Sequence, residues 1–139
     1  MKRLLLFLFL FLPLSIHAQK ISLDSIKAMT PAEGLFYALE YYGVYEPHIV
    51  YAQAVLETGH FRSDFCVNHG NLFGIYDSRK KAYKHYAHWV ESVLDYKNSV
   101  QSKYKGGDYY TFLEQLPYAQ DKEYTNKLRK IARRYIQYD

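Results

Sequence analysis

The segment from Pro47 to Gly59 constrains the fold more than any other part of the chain. A proline at the first helical position and a glycine at the end bracket one helix. Ile49, Val50, Ala52, Ala54 and Leu56 put apolar cover on most of its sides. A helix without a water-facing stripe must be central, with other elements wrapped around it. At 139 residues the chain can supply that surround once, and it is too short for two well-built domains. A composition of 49% apolar, 18% aromatic and 23% charged residues excludes a disordered, collagen-like or coiled-coil chain. The single cysteine, Cys66, excludes an internal disulfide and a cysteine-built zinc site, and reads as a small buried hydrophobe.

The first eighteen residues read as a removable leader. Met1-Lys2-Arg3 is basic, Leu4 to Leu14 is apolar apart from Pro13, and Ser15-Ile16-His17-Ala18 ends on a small residue. This is the three-part layout of a secretory signal peptide cut after Ala18. The apolar run is shorter than the roughly 20 residues of a spanning helix, which argues against an uncleaved anchor. The expected mature chain is residues 19–139, exported to the periplasm or secreted, with no stable membrane insertion after cleavage. Losing Lys2 and Arg3 leaves 16 basic against 14 acidic residues, so the formal net charge falls from +4 to +2. That is too weak for a nucleic-acid surface but favours an anionic polymer such as a cell wall. Sixteen tyrosines, with stacking faces and polar tips, suit polar ring-shaped ligands.

The mature chain reads as one mainly α unit of the α+β type, with a small, shortened β-hairpin lobe. Thr30-Pro31-Ala32-Glu33 is a helix start with a capping box, and that helix should run to Tyr42 and stop at Gly43. Asn68-His69-Gly70-Asn71 reads as loop. Gly74-Ile75-Tyr76 and Ala82 to Tyr86, around Asp77-Ser78, read as the hairpin. Trp89, Val93, Tyr96 and Val100 give helical spacing from His88 to Tyr104, with Trp89 in the core. Gly106-Gly107-Asp108 breaks it, and a short helix follows from Tyr109 to Leu116. Asp121 then caps a last helix through Tyr124, Leu128, Ile131 and Tyr135.

Glu57 is misplaced for stability. A negative charge in a last helical turn meets the negative end of the helix dipole, at a cost of a few tenths to about 1 kcal/mol. That field, with Leu56 and Phe61 limiting solvation, would raise its pKa. A carboxylic acid kept protonated near neutrality is what glycoside cleavage needs for its leaving oxygen. The bland alternative is an exposed glutamate paired with His60 or Arg62.

Three ordered blocks carry a wider pattern. Ala52 to Gly59 resembles the catalytic helix of the bacterial endo-β-N-acetylglucosaminidase domain, glycoside hydrolase family 73. Asn71-Leu72-Phe73-Gly74-Ile75 resembles that family's second block. Tyr118 to Tyr124, followed by Lys127-Leu128, resembles its third, and Trp89 to Val93 the segment between. The resemblance spans about Thr30 to about Arg134. It implies a lysozyme-like helical fold, Glu57 as general acid, and peptidoglycan glycan strands as the partner. It implies a cleft shaped by Asn71, Phe73 and Gly74, with His60 among the substrate contacts. Of the third-block tyrosines, Tyr118 is expected to face the 2-acetamido group near the scissile bond, and Tyr124 to pack beside Leu128 and Ile131. No cofactor or metal is implied.

The chain departs from the family in two places. Lys122 stands where the third block often has proline, a replaceable preference. Many members carry a second acid on the hairpin, and from Ile75 to Trp89 this chain has only Asp77, among Arg79, Lys80, Lys81 and Lys84. Asp77 either activates water, as in an inverting pair, or shapes a turn while the substrate's own acetamido oxygen attacks. The second alternative is preferred. A decayed site that only binds is a third. Glu57, His60 and His69 match no metal spacing, and Cys66 near His69 lacks an orienting third group. His85 and His88 read as a solvated or interlobe pair. The cations from Lys127 to Arg134 read as a solvated face or as a contact with anionic wall polymer. The expected activity is cleavage of the β-1,4 bond between N-acetylglucosamine and N-acetylmuramic acid. A non-catalytic wall-binding module, a lytic transglycosylase and a stem-peptide amidase are the rivals.

Overall fold

The computed structural model describes residues 21–116 and 121–136. The leader segment and Tyr118 lie outside these residues. The architecture is mainly helical with one two-stranded antiparallel sheet. In chain order the helices are α1 (Leu23–Lys27), α2 (Pro31–Tyr41), α3 (Pro47–Glu57) and α4 (Asp64–His69). Strands β1 (Tyr76–Asp77) and β2 (Ala82–Tyr83) follow, then α5 (Trp89–Asp95), a π turn over Tyr96–Val100 and a 3₁₀ turn over Gln101–Lys103. The last helices among the described residues are α6 (Tyr109–Glu114) and α7 (Tyr124–Ile136).

Helix α3 is the axis of the core, as its lack of a polar stripe requires. Every residue from Ile49 to Val55 is buried, including Gln53. Small side chains at Ala52 and Ala54 let neighbouring backbones approach, and α7 makes its main packing interface here. Tyr51 ties three helices together. It stacks on Phe36 of α2 with ring centroids 4.4 Å apart and meets Tyr135 of α7 edge-on at 4.6 Å. Burial and the neighbouring Tyr135 push its hydroxyl pKa up to about 12. Trp89 is buried as expected and packs against Gly34, where a Cβ would lie only 3.1 Å from the indole ring. Its Nε1 donates to the Met29 carbonyl at 3.2 Å.

Local capping accounts for most element boundaries. The capping box of α2 is formed, with the Thr30 N–H donating to Glu33 Oε2 at 3.1 Å. Gly43 adopts φ +61 just past the helix end, where a side chain would be strained. Asp108 caps α6 through the Thr111 N–H at 3.0 Å, and Asp121 accepts from the Glu123 N–H at 2.9 Å ahead of α7.

Two stretches differ from the sequence reading. Asn68 and His69, expected in a loop, end helix α4. Ser63 starts that helix by accepting from the Cys66 N–H at 3.2 Å, Asn68 donates to Asp64 within it, and Gly70 stops it at φ +58. The long helix expected from His88 to Tyr104 is α5 followed by the π and 3₁₀ turns. The Gln101 N–H reaches back to the Tyr96 carbonyl, the i to i+5 spacing that defines a π turn. Hydrophobic spacing alone does not show such a local widening.

The hairpin is short and firmly tethered. Tyr76 pairs with Tyr83 and Asp77 with Ala82. Lys84 forms an ion pair with Asp95 at 2.7 Å, and the Tyr86 hydroxyl donates to the same carboxylate at 2.6 Å. Cys66 is buried and free, and burial pushes its thiol pKa up. Among the described residues no helix is long and apolar enough to cross a membrane.

Candidate active site

Glu57 is the last residue of α3, and the chain turns sharply after it. Gly59, His60 and Phe61 all adopt left-handed φ values, of 55°, 63° and 60°. For the two non-glycine residues that conformation costs about 1–2 kcal/mol each. Thr58 stabilises the turn. Its hydroxyl donates to the Ala54 carbonyl at 2.6 Å and accepts from the Phe61 N–H at 2.8 Å. The turn leaves His60 exposed and folds Phe61 back against Tyr51, with centroids 5.9 Å apart.

The Glu57 carboxyl is largely enclosed, and burial raises its pKa above the ordinary carboxylate range. The Tyr124 hydroxyl donates to its Oε1 at 2.9 Å and partly opposes that rise. Among the described residues Glu57 forms no ion pair with His60 or Arg62, so the bland reading of a surface pair does not describe it. The second oxygen, Oε2, faces Gly74, where a Cβ would stand 3.5 Å away.

Gly74 also lines a groove of about 820 Å³. Tyr76 and Tyr83 of the hairpin, Ser99 and Val100 of the π turn, and Asp121 contribute to its walls. Tyr76 and Tyr83 are each about half exposed and meet edge to face at 5.3 Å. The acid therefore stands beside a groove with aromatic faces, separated from it by a residue without a side chain. Gly74 has φ +59, so Gly74→Ala adds backbone strain and a methyl 3.5 Å from Glu57 Oε2. Its expected result is a stability loss of about 1 kcal/mol and a fall in kcat of at least about tenfold. Chemical denaturation and turnover on soluble glycan check the two effects.

Asn71 and Phe73, expected to shape the cleft, are buried and are not among the residues that line this groove. Asn71 is 1% exposed, and both ends of its amide are used on backbone. Nδ2 donates to the carbonyls of Ile75 and Lys84 at 3.0 Å each, and Oδ1 accepts from the Ile75 N–H at 3.0 Å. The side chain thus clamps the turn holding Gly74 to the hairpin. Phe73 is 1% exposed and lies on Tyr96, with centroids 4.4 Å apart.

Asp77 is partly exposed, at the end of β1. Its Oδ1 accepts from the backbone N–H groups of Arg79 and Lys80, at 3.0 and 3.2 Å, and these bonds hold its pKa low. Tyr124, expected to pack beside Leu128, is buried in the same apolar cluster, and its hydroxyl donates to Glu57. Gln53 escaped the sequence reading. The available signal was one polar side chain in the apolar run Ala52 to Leu56, since a buried amide needs partners. Those partners are the Tyr124 and Tyr96 hydroxyls.

The remaining candidates lie elsewhere. His85 faces His69, with 3.5 Å between Nδ1 atoms, rather than His88, whose Nε2 contacts the Lys27 carbonyl at 3.1 Å. On α7, Lys127 pairs with Asp121 at 2.6 Å and Arg129 lies 3.8 Å over the Tyr110 ring. Among the described residues no three His, Cys, Asp or Glu side chains gather in a metal-binding cluster.

Comparison with known proteins gives the same result as the three sequence blocks. The family model described as mannosyl-glycoprotein endo-beta-N-acetylglucosaminidase matches residues 34–137. No curated protein and no solved structure matches. The match covers most of the chain, from within α2 past the end of α7, and includes Glu57, Gly74 and Tyr124. The chain belongs to the glucosaminidase family.

Proposed function

We propose that this protein is an exported peptidoglycan hydrolase that cleaves the β-1,4 bond between N-acetylglucosamine and N-acetylmuramic acid. The family is one of glycoside hydrolases, which supports the reaction class. The observation that carries the reading is the Glu57 carboxyl, its pKa raised by burial, with one oxygen held by Tyr124 and the other on the Gly74 side. The Tyr76 and Tyr83 rings offer faces to sugar rings along that groove.

Glu57 is the general acid. As the C1–O4 bond breaks, its proton passes to the leaving oxygen. Among the described residues the acids that border the groove are otherwise engaged. Asp77 is committed to its turn, and Asp121 to the Glu123 N–H and the Lys127 ammonium. This supports attack on C1 by the acetamido oxygen of the substrate itself. The resulting oxazolinium ring is opened by water, whose proton returns to the Glu57 carboxylate, and the anomeric configuration is retained. Tyr118 remains our candidate for contacting the acetamido group, and His60 for an outer contact at the groove.

Product analysis on purified peptidoglycan tests the reading. The expected products carry reducing-end N-acetylglucosamine, identified by mass spectrometry after borohydride reduction. Anhydro-sugar ends would mean transglycosylation, new free amino groups would mean amidase action, and wall binding without any product would mean a binding module.

A further inference from the structure

Behind Glu57 runs a row of buried polar groups that the reaction as described does not use. Gln53 lies one turn before Glu57 on α3 and is 1% exposed. Its Nε2 donates to the Tyr124 hydroxyl oxygen at 3.2 Å, and its Oε1 accepts from the Tyr96 hydroxyl at 2.5 Å. The Tyr96 and Tyr109 hydroxyl oxygens are 2.9 Å apart. Gln101 Nε2 donates to Tyr109 at 2.8 Å.

The far end of the row fixes its direction. Gln101 is clamped on the backbone of Tyr45. Its Oε1 accepts from the Tyr45 N–H at 2.9 Å and its Nε2 donates to the Tyr45 carbonyl at 2.7 Å. A backbone N–H can only donate and a carbonyl can only accept, so this amide cannot be reversed. Its second Nε2 proton goes to the Tyr109 oxygen. Since Tyr96 gives its proton to Gln53 Oε1, the Tyr109 proton goes to Tyr96, and a Gln53 amide proton goes to Tyr124. Tyr124 is left donating to Glu57. All the protons point one way, and such rows strengthen their terminal bond.

We infer that Gln101, Tyr109, Tyr96 and Gln53 are positioning residues for Glu57, and that the Tyr45 backbone sets the direction of a hydrogen-bond row that confines the deliverable proton to Oε2, on the Gly74 side. The inference rests on the reading of Glu57 as the general acid. The π turn serves the same end, since it carries Tyr96 into the core and leads directly into Gln101. Among the described residues, Tyr124 of α7 touches Glu57, while the α7 cations and Glu33 and Glu40 of α2 lie on exposed faces.

The test is a titration of the Glu57 side-chain carboxyl carbon by NMR in the full mature chain, with kcat/KM against pH measured in parallel. Donation into Oε1 stabilises the carboxylate, so removing a donor must raise the midpoint. Tyr124→Phe is expected to raise it by up to about one pH unit. Gln53→Met, Tyr96→Phe and Tyr109→Phe should each raise it by about 0.3 to 0.5 unit, with the alkaline limb of kcat/KM moving by the same amount. The two tyrosine variants keep their rings, so they carry the test if Gln53→Met does not fold. A merely structural role lowers the melting temperature, or kcat at every pH, and leaves the midpoint in place. A midpoint that moves in Tyr124→Phe but stays fixed in the other three overturns the inference. The titration needs no substrate, so an inactive chain would refute the proposed function without touching this result.

Discussion

Glu57→Gln is expected to lower kcat on peptidoglycan by about 10²–10⁴-fold, the usual contribution of a general acid. Glutamine keeps the shape, can still accept from Tyr124 at one end, and has no proton to give at the other. Binding to the wall should persist, because the groove is untouched. The same variant carries a stability signature of known sign. Burial raises the pKa of Glu57 in the folded chain, so the folded state disfavours the charged form. Its stability relative to an uncharged side chain is therefore full below the ordinary glutamate range near 4.3 and is lost as pH rises through the folded value. Glu57→Gln should melt higher than the parent at neutral pH, and the difference should vanish in acid. Undiminished release of reducing ends, measured on purified peptidoglycan, would remove Glu57 from the mechanism. Equal melting temperatures at both pH values would show that the carboxyl is not under strain.

Asn71→Ala is expected to give the largest loss of stability. It removes three bonds in a site that is 1% exposed, and it strips the Lys84 carbonyl and the Ile75 N–H of the amide, while the Ile75 carbonyl keeps the Lys84 N–H at 2.8 Å. Each unsatisfied buried group costs about 1–3 kcal/mol, so a loss of about 2 kcal/mol or more is expected, out of a typical total of about 5–15 kcal/mol. The turn that holds Gly74 and the hairpin should loosen together, and activity should fall with them. Asn71→Asp is expected to fare no better, because an anion would face the two carbonyl oxygens that now receive the amide protons. Thermal melts and amide exchange at Ile75 and Lys84 measure the effect. A stability change below about 1 kcal/mol would mean that water replaces the lost amide.

What the sequence disclosed was local. The apolar surround of Pro47 to Gly59 placed α3 at the centre, and the Thr30–Glu33 box and the hairpin around Asp77 formed where propensity and capping put them. Glu57 stood out because a carboxylate at that point opposes both the helix dipole and its apolar neighbours. The parts that were hidden depend on distance along the chain. Tyr124 meets Glu57 across 67 positions, and Tyr96 meets Gln53 across 43. Periodicity can place each of these residues on an inner face, but it does not say which hydroxyl meets which amide. Asn71 illustrates the same limit. A donor and acceptor in a loop block suggest a ligand contact, and only the course of the backbone reveals that Ile75 and Lys84 use both.

The π turn makes the helical reading frame near Val100 matter. Its i to i+5 spacing accommodates one residue more than an α-helical turn. Deleting a single residue between Tyr96 and Val100 would return the segment to α geometry and rotate everything after it by about 100°. Gln101 would swing away from Tyr45, although the hydropathy profile of the shortened chain would look nearly unchanged. Length in this stretch is therefore as much a part of the acid's environment as any side chain, and a one-codon loss there should do more harm than most substitutions.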